Sequence, residues 1–598
     1  IARIEVMPLA GTEFAADTRG GAILITLRRR RDGGMDGNLQ FSTVQSNRIA
    51  GYTPSGRIGI RTGRWTLTAS GSGSFTPVAE SRFTETREQA GQPLPFAGRS
   101  DSKSRTNYGR GHFSAVFDPT PKHTAGFDIE YTERSTHMPT LSRTTLGQTQ
   151  SDSRYRQHMD GNTLTATANY IWKIDTLGSQ FKLIADYTRY TSDGDNSYHT
   201  TTCAPGTLRD SLYESATGSV YDILTADAGL TRKLPHGLTL RAGLRYTRND
   251  MADKSRYAAQ TQGTWLALPE YSYDQHYTEQ IGAAYASLEY SAGRWELSAG
   301  LRGEYTSVAS QAFGRSYFGL FPNVSVSRAL NALRTWLLVA QWSRNIERPA
   351  FPALNPARIR ISDYSWQSGN PSLRPTYIHR FSLTAVWKYR YTLTVGGNLH
   401  HDLIREIAHR DATAPDAVYI RPENHYTENH WFVAASVPAK ITRWWNLSVN
   451  AVGVMQRIRL NSTDSPATHY LMFADATCSF TLPAGFFAEA AYRAQSRLYS
   501  GNSEVGPRHT LSATVKKQLF DKRLTLFCTL SNITGCDWEF ASLTDGMRRT
   551  IDTRQAWSGR LWKVGAAWNF RTGKKFRART VESAAETQRK RLVKSTEQ

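Results

Sequence analysis

The stretch "WELSAGLRGEYT" (295–306) reads as two interleaved sequences. One set is Trp295, Leu297, Ala299, Leu301, Gly303 and Tyr305. The other is Glu296, Ser298, Gly300, Arg302, Glu304 and Thr306. A period of two places each set on its own face of a β-strand, whereas a helix would mix them. The strand is also long. A globular strand runs to about 5–6 residues, and a tilted strand that crosses a bilayer needs about 9–11.

The pattern recurs. "LTLRAGLRYT" (238–247) sets Leu238, Leu240, Ala242, Leu244 and Tyr246 against Thr239, Arg241, Gly243, Arg245 and Thr247. "QFKLIADYT" (180–188) sets Phe181, Leu183, Ala185 and Tyr187 against Lys182, Ile184, Asp186 and Thr188. "NTLTATANYIWK" (162–173) behaves likewise, and its apolar set ends in Tyr170 and Trp172. Tyr or Trp at the ends of apolar strand faces suits the girdles of a membrane barrel.

The connections between strands alternate in length. Ten are short: 62–63, 119–122, 175–178, 233–237, 291–293, 329–332, 388–390, 439–442, 483–485 and 520–522. Longer polar stretches lie between them, including 76–104, 134–161, 190–217 and 347–375, and are read as external loops. Ten hairpins with one strand at each end (37–50 and 557–570) give about 22 strands, an even number as barrels of this kind require. The reading is an all-β chain: a transmembrane antiparallel β-barrel over 37–570, preceded by 1–31 and followed by a polar, solvated periplasmic tail over 571–598. In the opening stretch, Trp295, Leu297, Ala299, Leu301 and Tyr305 should face lipid, and Glu296, Ser298, Arg302 and Glu304 a wet lumen. Arg241, Arg245 and Arg302 should then tolerate exchange for Gln.

Composition agrees. The 598 residues are 39% hydrophobic and 11% aromatic, with 28 Tyr and 15 Trp. Mean hydropathy is −0.49, and no apolar run approaches the roughly 20 residues of a membrane helix. The net charge of +22 is spread along the chain, so a nucleic-acid partner is not expected. Four cysteines give no disulfide framework. Cys478 and Cys528 fall on apolar strand faces, where free thiols would meet lipid.

Catalytic motifs are missing. No nucleophile elbow, P-loop or HExxH occurs, and "GRGHFSAV" (109–116) sits in an alternating strand that opens no helix. "HHDLIREIAH" (400–409) collects three His, which read as polar residues at a loop base. Neither an enzyme, a cofactor nor a metal site is expected. Candidate ligand contacts are Arg358, Arg360, Tyr364 and Trp366 in the loop 347–375, since cations beside aromatics suit anionic or ring-bearing solutes. Arg241, Arg245 and Arg302 are further candidates along the lumen. The bland alternative is that the loop residues only pack the loop over the mouth.

Three stretches carry a family resemblance. "IARIEVMPLAGTEFAADTRGGAILITLRRR" (1–30) resembles the end of the plug domain of TonB-dependent outer-membrane receptors, through Ile4, Glu5, Val6, Gly20, Gly21, Ile23 and Ile25. "NIERPAFPALNP" (345–356) followed by "SGNPSLRPTY" (368–377) resembles that family's mid-barrel signature, in its Bacteroidetes-type form. "LTLFCTLSNITG" (524–535) is similar to its penultimate strand, and "WNF" (568–570) ends the barrel. The resemblance implies a Gram-negative outer-membrane receptor taking up a scarce solute with energy from TonB. Its implied partners are membrane lipid and lipopolysaccharide, the TonB complex through the N-terminal region, a small solute, and a surface lipoprotein. The alternative is a passive pore or surface-binding barrel without TonB coupling. A TonB box and most of a plug are absent from the sequence, so the chain reads as a fragment whose lumen stays open unless long loops fold inward to seal it.

Overall fold

A computed structural model describes residues 33–573 except 312, 412, 413 and 415, together with 3–7, 12, 15–17, 22–26 and 581–592. Twenty-two antiparallel strands form one closed barrel. The first, Gly34–Gln45, pairs with the last, Leu561–Gly573, in register from Gly34↔Gly573 to Gln45↔Trp562, so the sheet has no free edge. All ten short connections join neighbouring strands. A separate two-stranded sheet pairs Arg3–Met7 with Ala22–Thr26.

The strand Trp295–Ser310 keeps the expected facing. Leu297, Leu301 and Tyr305 are 40%, 49% and 54% exposed on the outside, where a bilayer covers them, while Thr306 is fully buried. Arg302 and Glu304 correct the expectation of a wet lumen. Both face inward, but each is only 2% exposed, because other parts of the chain cover them.

Three expected loops are walls. Strands Trp65–Gln89 and Gln92–Phe117 pair almost to their tips, as do His123–Leu146 with Thr149–Lys173 and Gln180–Ala204 with Thr207–Lys233. Each has 24 to 27 residues, far more than a crossing needs, so tall hairpins stand above the membrane. The tip at Ala90 and Gly91 has φ of 49° and 78°, the double left-handed turn that suits a two-residue hairpin. Above the bilayer no face meets lipid, and the apolar alternation stops. Thr-rich strands still pair there, aided by cross-strand contacts such as Arg143 Nε to Asp152 at 2.6 Å.

Of the expected solvated tail, 574–580 and 593–598 lie outside the described residues, and 581–592 departs from the expectation. Residues 581–592 run inside the barrel. Lys182 Nζ bonds Glu582 at 2.6 Å, the Ala584 N–H donates to Asp186 at 2.7 Å, and Arg591 pairs with Glu279. These wall residues lie on the inward face. The segment has no apolar stripe to bury, but a polar lumen supplies its partners and makes a stripe unnecessary.

All four cysteines are free. Cys478 shares a face with the exposed Tyr470 and Met472, and Cys528 with the exposed Leu526. Membrane-impermeant maleimides are expected to label both poorly in intact outer membranes and well after denaturation. Rapid labelling in the membrane would show that these strands are flipped.

Candidate functional site

The wall opens at Glu347, where the strand Trp336–Glu347 ends, and the chain re-enters it at Thr376. The intervening loop folds into the lumen. A single helical turn, Phe351–Leu354, drives Phe351 and Leu354 onto the inward side chains of Tyr221, Ile223, Met251, Tyr277 and Val308, with Leu373 completing the cluster. Burying an apolar side chain of this size contributes roughly 1.5–3 kcal/mol.

The loop's Asn and Gly residues have structural work. Asn355 Oδ1 accepts from the Ala357 N–H at 2.8 Å and from the Tyr273 hydroxyl at 2.5 Å. Asn370 Nδ2 donates to the Pro422 carbonyl at 3.0 Å, and its N–H to the Ala353 carbonyl at 2.7 Å. At Gly369 a Cβ would lie 2.1 Å from the Asn355 carbonyl oxygen, so only glycine fits this crossing of two chain segments.

Beyond the helix a small hairpin, Ile359–Ser362 with Ser365–Gln367, bridges the mouth. At one end Asp363 accepts from Ser153 Oγ at 2.6 Å, the Tyr155 hydroxyl at 2.9 Å, Thr200 Oγ1 at 3.1 Å and Arg360 at 2.6 Å. The Arg360 guanidinium lies among the rings of Tyr155, Tyr213 and Trp366 at 5.2–5.9 Å. Arg358 sits 4.8 Å from the Trp366 ring and 5.2 Å from Tyr271, and pairs with Asp411 at 3.1 Å. Beside the same turn Glu85 bridges Arg87 and Arg549, both at 2.8 Å, and Arg549 donates to Ser365 Oγ at 3.1 Å. Phe96 meets Tyr364 edge-on at 5.8 Å, and burial raises the Tyr364 phenol above its ordinary value. Ser365, Trp366 and Gln367 also pair in parallel with Val418, Tyr419 and Ile420.

Arg358 and Arg360 are thus brought together on Trp366, whereas Tyr364 turns to Phe96, and the hairpin that carries all four latches the loop across the barrel. Arg241, Arg245 and Arg302 lie lower in the wall and do not join them. Arg241 pairs with Glu289, Arg245 with Asp227 at 2.8 Å, and Arg302 with Glu304 at 2.6 Å. Glu304 also bonds Arg348 at 2.7 Å and accepts from the Ala16 N–H at 3.4 Å, while Arg302 donates to the Thr12 carbonyl at 3.4 Å. Thr12, Ala16 and Asp17 are therefore held against the wall by polar contacts. Asp363, Glu85, Arg549, Glu279 and Arg348 escaped the sequence reading. The inward parity of Glu279 and Glu304 was readable, but their partners were not. Among the described residues, no three or more His, Cys, Asp or Glu side chains are grouped to hold a metal ion. His400, for example, bonds the Glu428 carbonyl at 2.7 Å.

These pairs correct the expected tolerance of Gln. Arg245→Gln leaves Asp227 facing a neutral side chain in a mostly buried place, a change that can cost about 3–5 kcal/mol. The double variant Arg245→Gln/Asp227→Asn removes both charges. The single variant is expected to lose its heat-modifiable folded band at a lower temperature, and the double to recover most of the loss. Equal loss in both would show the pair is not coupled.

A model of the outer membrane protein β-barrel family matches residues 172–568. No curated protein matches the chain. Among solved structures, the siderophore receptor PirA of Pseudomonas aeruginosa is 13% identical with a TM-score of 0.57, covering 95% of this chain and 86% of PirA. A ferric enterobactin receptor (PfeA) mutant from Pseudomonas aeruginosa is 14% identical, with a TM-score of 0.59 and coverage of 95% and 84%. The copper transporter OprC is 11% identical, with a TM-score of 0.60 and coverage of 93% and 85%. The fold is shared with these receptors, and the chain belongs to the outer membrane protein β-barrel family, its 22 strands crossing the outer membrane of a Gram-negative cell.

Proposed function

We propose that this barrel takes up a scarce solute in an energy-coupled, TonB-dependent manner, with residues 1–31 forming the end of a plug domain. One observation carries the reading: the mouth is bridged by a loop hairpin whose latch is made of ion pairs and hydroxyl bonds. Polar latches of this kind can be exchanged for polar contacts to a ligand, whereas a passive pore has no need of one. The contacts of Thr12, Ala16 and Asp17 with the cluster of Arg302, Glu304 and Arg348 support displacement of an inner element in the same way.

In this reading a small anionic, ring-bearing solute competes with Asp411 and Asp363 for Arg358 and Arg360, stacks on Tyr364 and Trp366, and frees the hairpin. Arg241, Arg245 and Arg302 then line the path inward. A surface lipoprotein presenting the solute is compatible with the tall external hairpins. The similar structures bear names of siderophore, ferric enterobactin and copper transport, and the first two fit this solute class best.

The test is accumulation of labelled solutes by cells carrying the chain in its full gene context, with and without a working TonB complex. Uptake should require TonB. Equal uptake in both strains would favour the passive pore or binding barrel.

A further inference from the structure

The outer wall between Trp336–Glu347 and Trp445–Arg459 carries a vertical gradient. Register sets Ala340, Leu383, Val395 and Val433 side by side, the last three about half exposed. The next row toward the cell exterior is Trp342, Phe381, Gly397 and Trp431. A Cβ on Gly397 would meet Phe381 Cζ at 2.5 Å, and its absence lets the Phe381 and Trp431 rings meet at 5.1 Å. The row above is Arg344, His379, Leu399, Asn429 and Arg457, followed by Tyr377, His401, Thr427 and Arg459. Aliphatic, then aromatic, then cationic residues mark the outer membrane–water interface.

A cavity of about 430 Å³ opens at this level, lined by Arg344, Tyr377, His379, His401, Thr427 and Asn429 among others. Arg344 is braced from two sides. It donates to the Leu320 carbonyl at 2.9 Å and lies 5.0 Å from the Tyr377 ring. Among the described residues it makes no ion pair, unlike the lumenal arginines discussed above. His379 stacks on Trp342 at 6.3 Å with the rings 12° apart. His401 meets Tyr426 edge-on at 5.7 Å. The nearby carboxylate of Asp402 lies 3.7 Å from His401 and is itself held by Arg374 at 2.6 Å.

We infer that this cavity seats the phosphate of a phosphorylated glycolipid of the outer leaflet. The Arg344 fork would supply the charged donors and His379 and His401 one N–H each, to a group carrying about −1.5 to −2 charges. The acyl chains would descend over Leu383, Val395 and Val433. That apolar strip directly below the donors is what favours a lipid over free phosphate. The site faces away from the lumen and is independent of the transported solute.

The test uses the purified barrel in detergent, with bound lipid counted by native mass spectrometry. Three ligands are offered: a diphosphorylated glycolipid of the lipid A type, the same lipid with its phosphates removed, and inorganic phosphate as competitor. The phosphorylated lipid should bind more tightly by roughly tenfold or more, the size of one good charged contact. Inorganic phosphate should not displace it. Arg344→Gln/His379→Gln/His401→Gln should erase the preference, and Arg344→Gln alone should weaken it. Arg189→Gln, an outward arginine already paired with Asp222 at 3.5 Å, should retain it. Equal binding of both lipids, full competition by inorganic phosphate, or an unchanged preference in the triple variant with its folded band intact would each overturn the assignment.

Discussion

Replacing residues 358–367 with a short Gly–Ser link is expected to turn a quiet barrel into a steady conductor in planar bilayers. Among the described residues, the hairpin they form spans the mouth, from Ser153, Tyr155 and Thr200 on one side to Val418, Tyr419 and Ile420 on the other. The rest of the loop would stay seated through Phe351, Leu354 and Leu373. A milder variant makes the same point. Asp363→Ala removes the acceptor of four bonds and leaves Arg360 in a mostly buried place without its carboxylate, a change that can cost about 3–5 kcal/mol. That variant should open intermittently, and the deletion should conduct several-fold more than the parent. An unchanged conductance in a folded deletion variant would mean that Thr12, Ala16, Asp17 and residues 581–592 close the lumen without the hairpin.

Leu301→Arg and Leu240→Arg are expected to block assembly. Both leucines lie on the outer face, 49% and 37% exposed to the space the bilayer fills, in rows with Ala286 and Leu288. An arginine near the midplane, as at Leu301, costs about 2–4 kcal/mol. The cost falls toward the interface, where Leu240 lies one row from Tyr290, so Leu301→Arg should show the larger effect. Neither neighbour offers a carboxylate. Leu301→Ala keeps the face apolar and should assemble. Ser298→Arg points the new charge inward and should also assemble. The readout is the heat-modifiable band on gels of outer-membrane fractions. Equal assembly of Leu301→Arg and Ser298→Arg would reverse the facing of this strand.

What the sequence disclosed follows from the solvents on either side of each strand. Where lipid lies outside and the lumen inside, as along Leu297 to Tyr305, alternation is strict and the strands can be counted to 22. Where no lipid lies outside, as from Arg82 to Asp101, the inward side chains Glu85 and Arg87 are buried by polar partners, so no apolar alternation is required and paired strands read as loops. The latch was legible only as residue types. Arg358, Arg360, Tyr364 and Trp366 stood out as a cationic and aromatic group, but Asp363 meets Ser153 across 210 residues of sequence and Arg549 meets Glu85 across 464. Periodicity carries no information at such separations. The course of 581–592 failed for a related reason: a polar segment can be buried when its host wall is polar, and composition describes the segment without its host.

The central claim is that each alternating strand is a membrane wall with lipid on one side and an aqueous interior on the other. Spin labels placed singly along residues 445–454 of the reconstituted barrel test it most directly, by accessibility to oxygen and to a water-soluble nickel chelate. Register places 447, 449, 451 and 453 on the face of Val433 and Val437, and 446, 448, 450 and 452 on the opposite face. Oxygen accessibility should peak at the first set and nickel accessibility at the second, with a period of two throughout. A flat profile, or the opposite phase, would contradict the account.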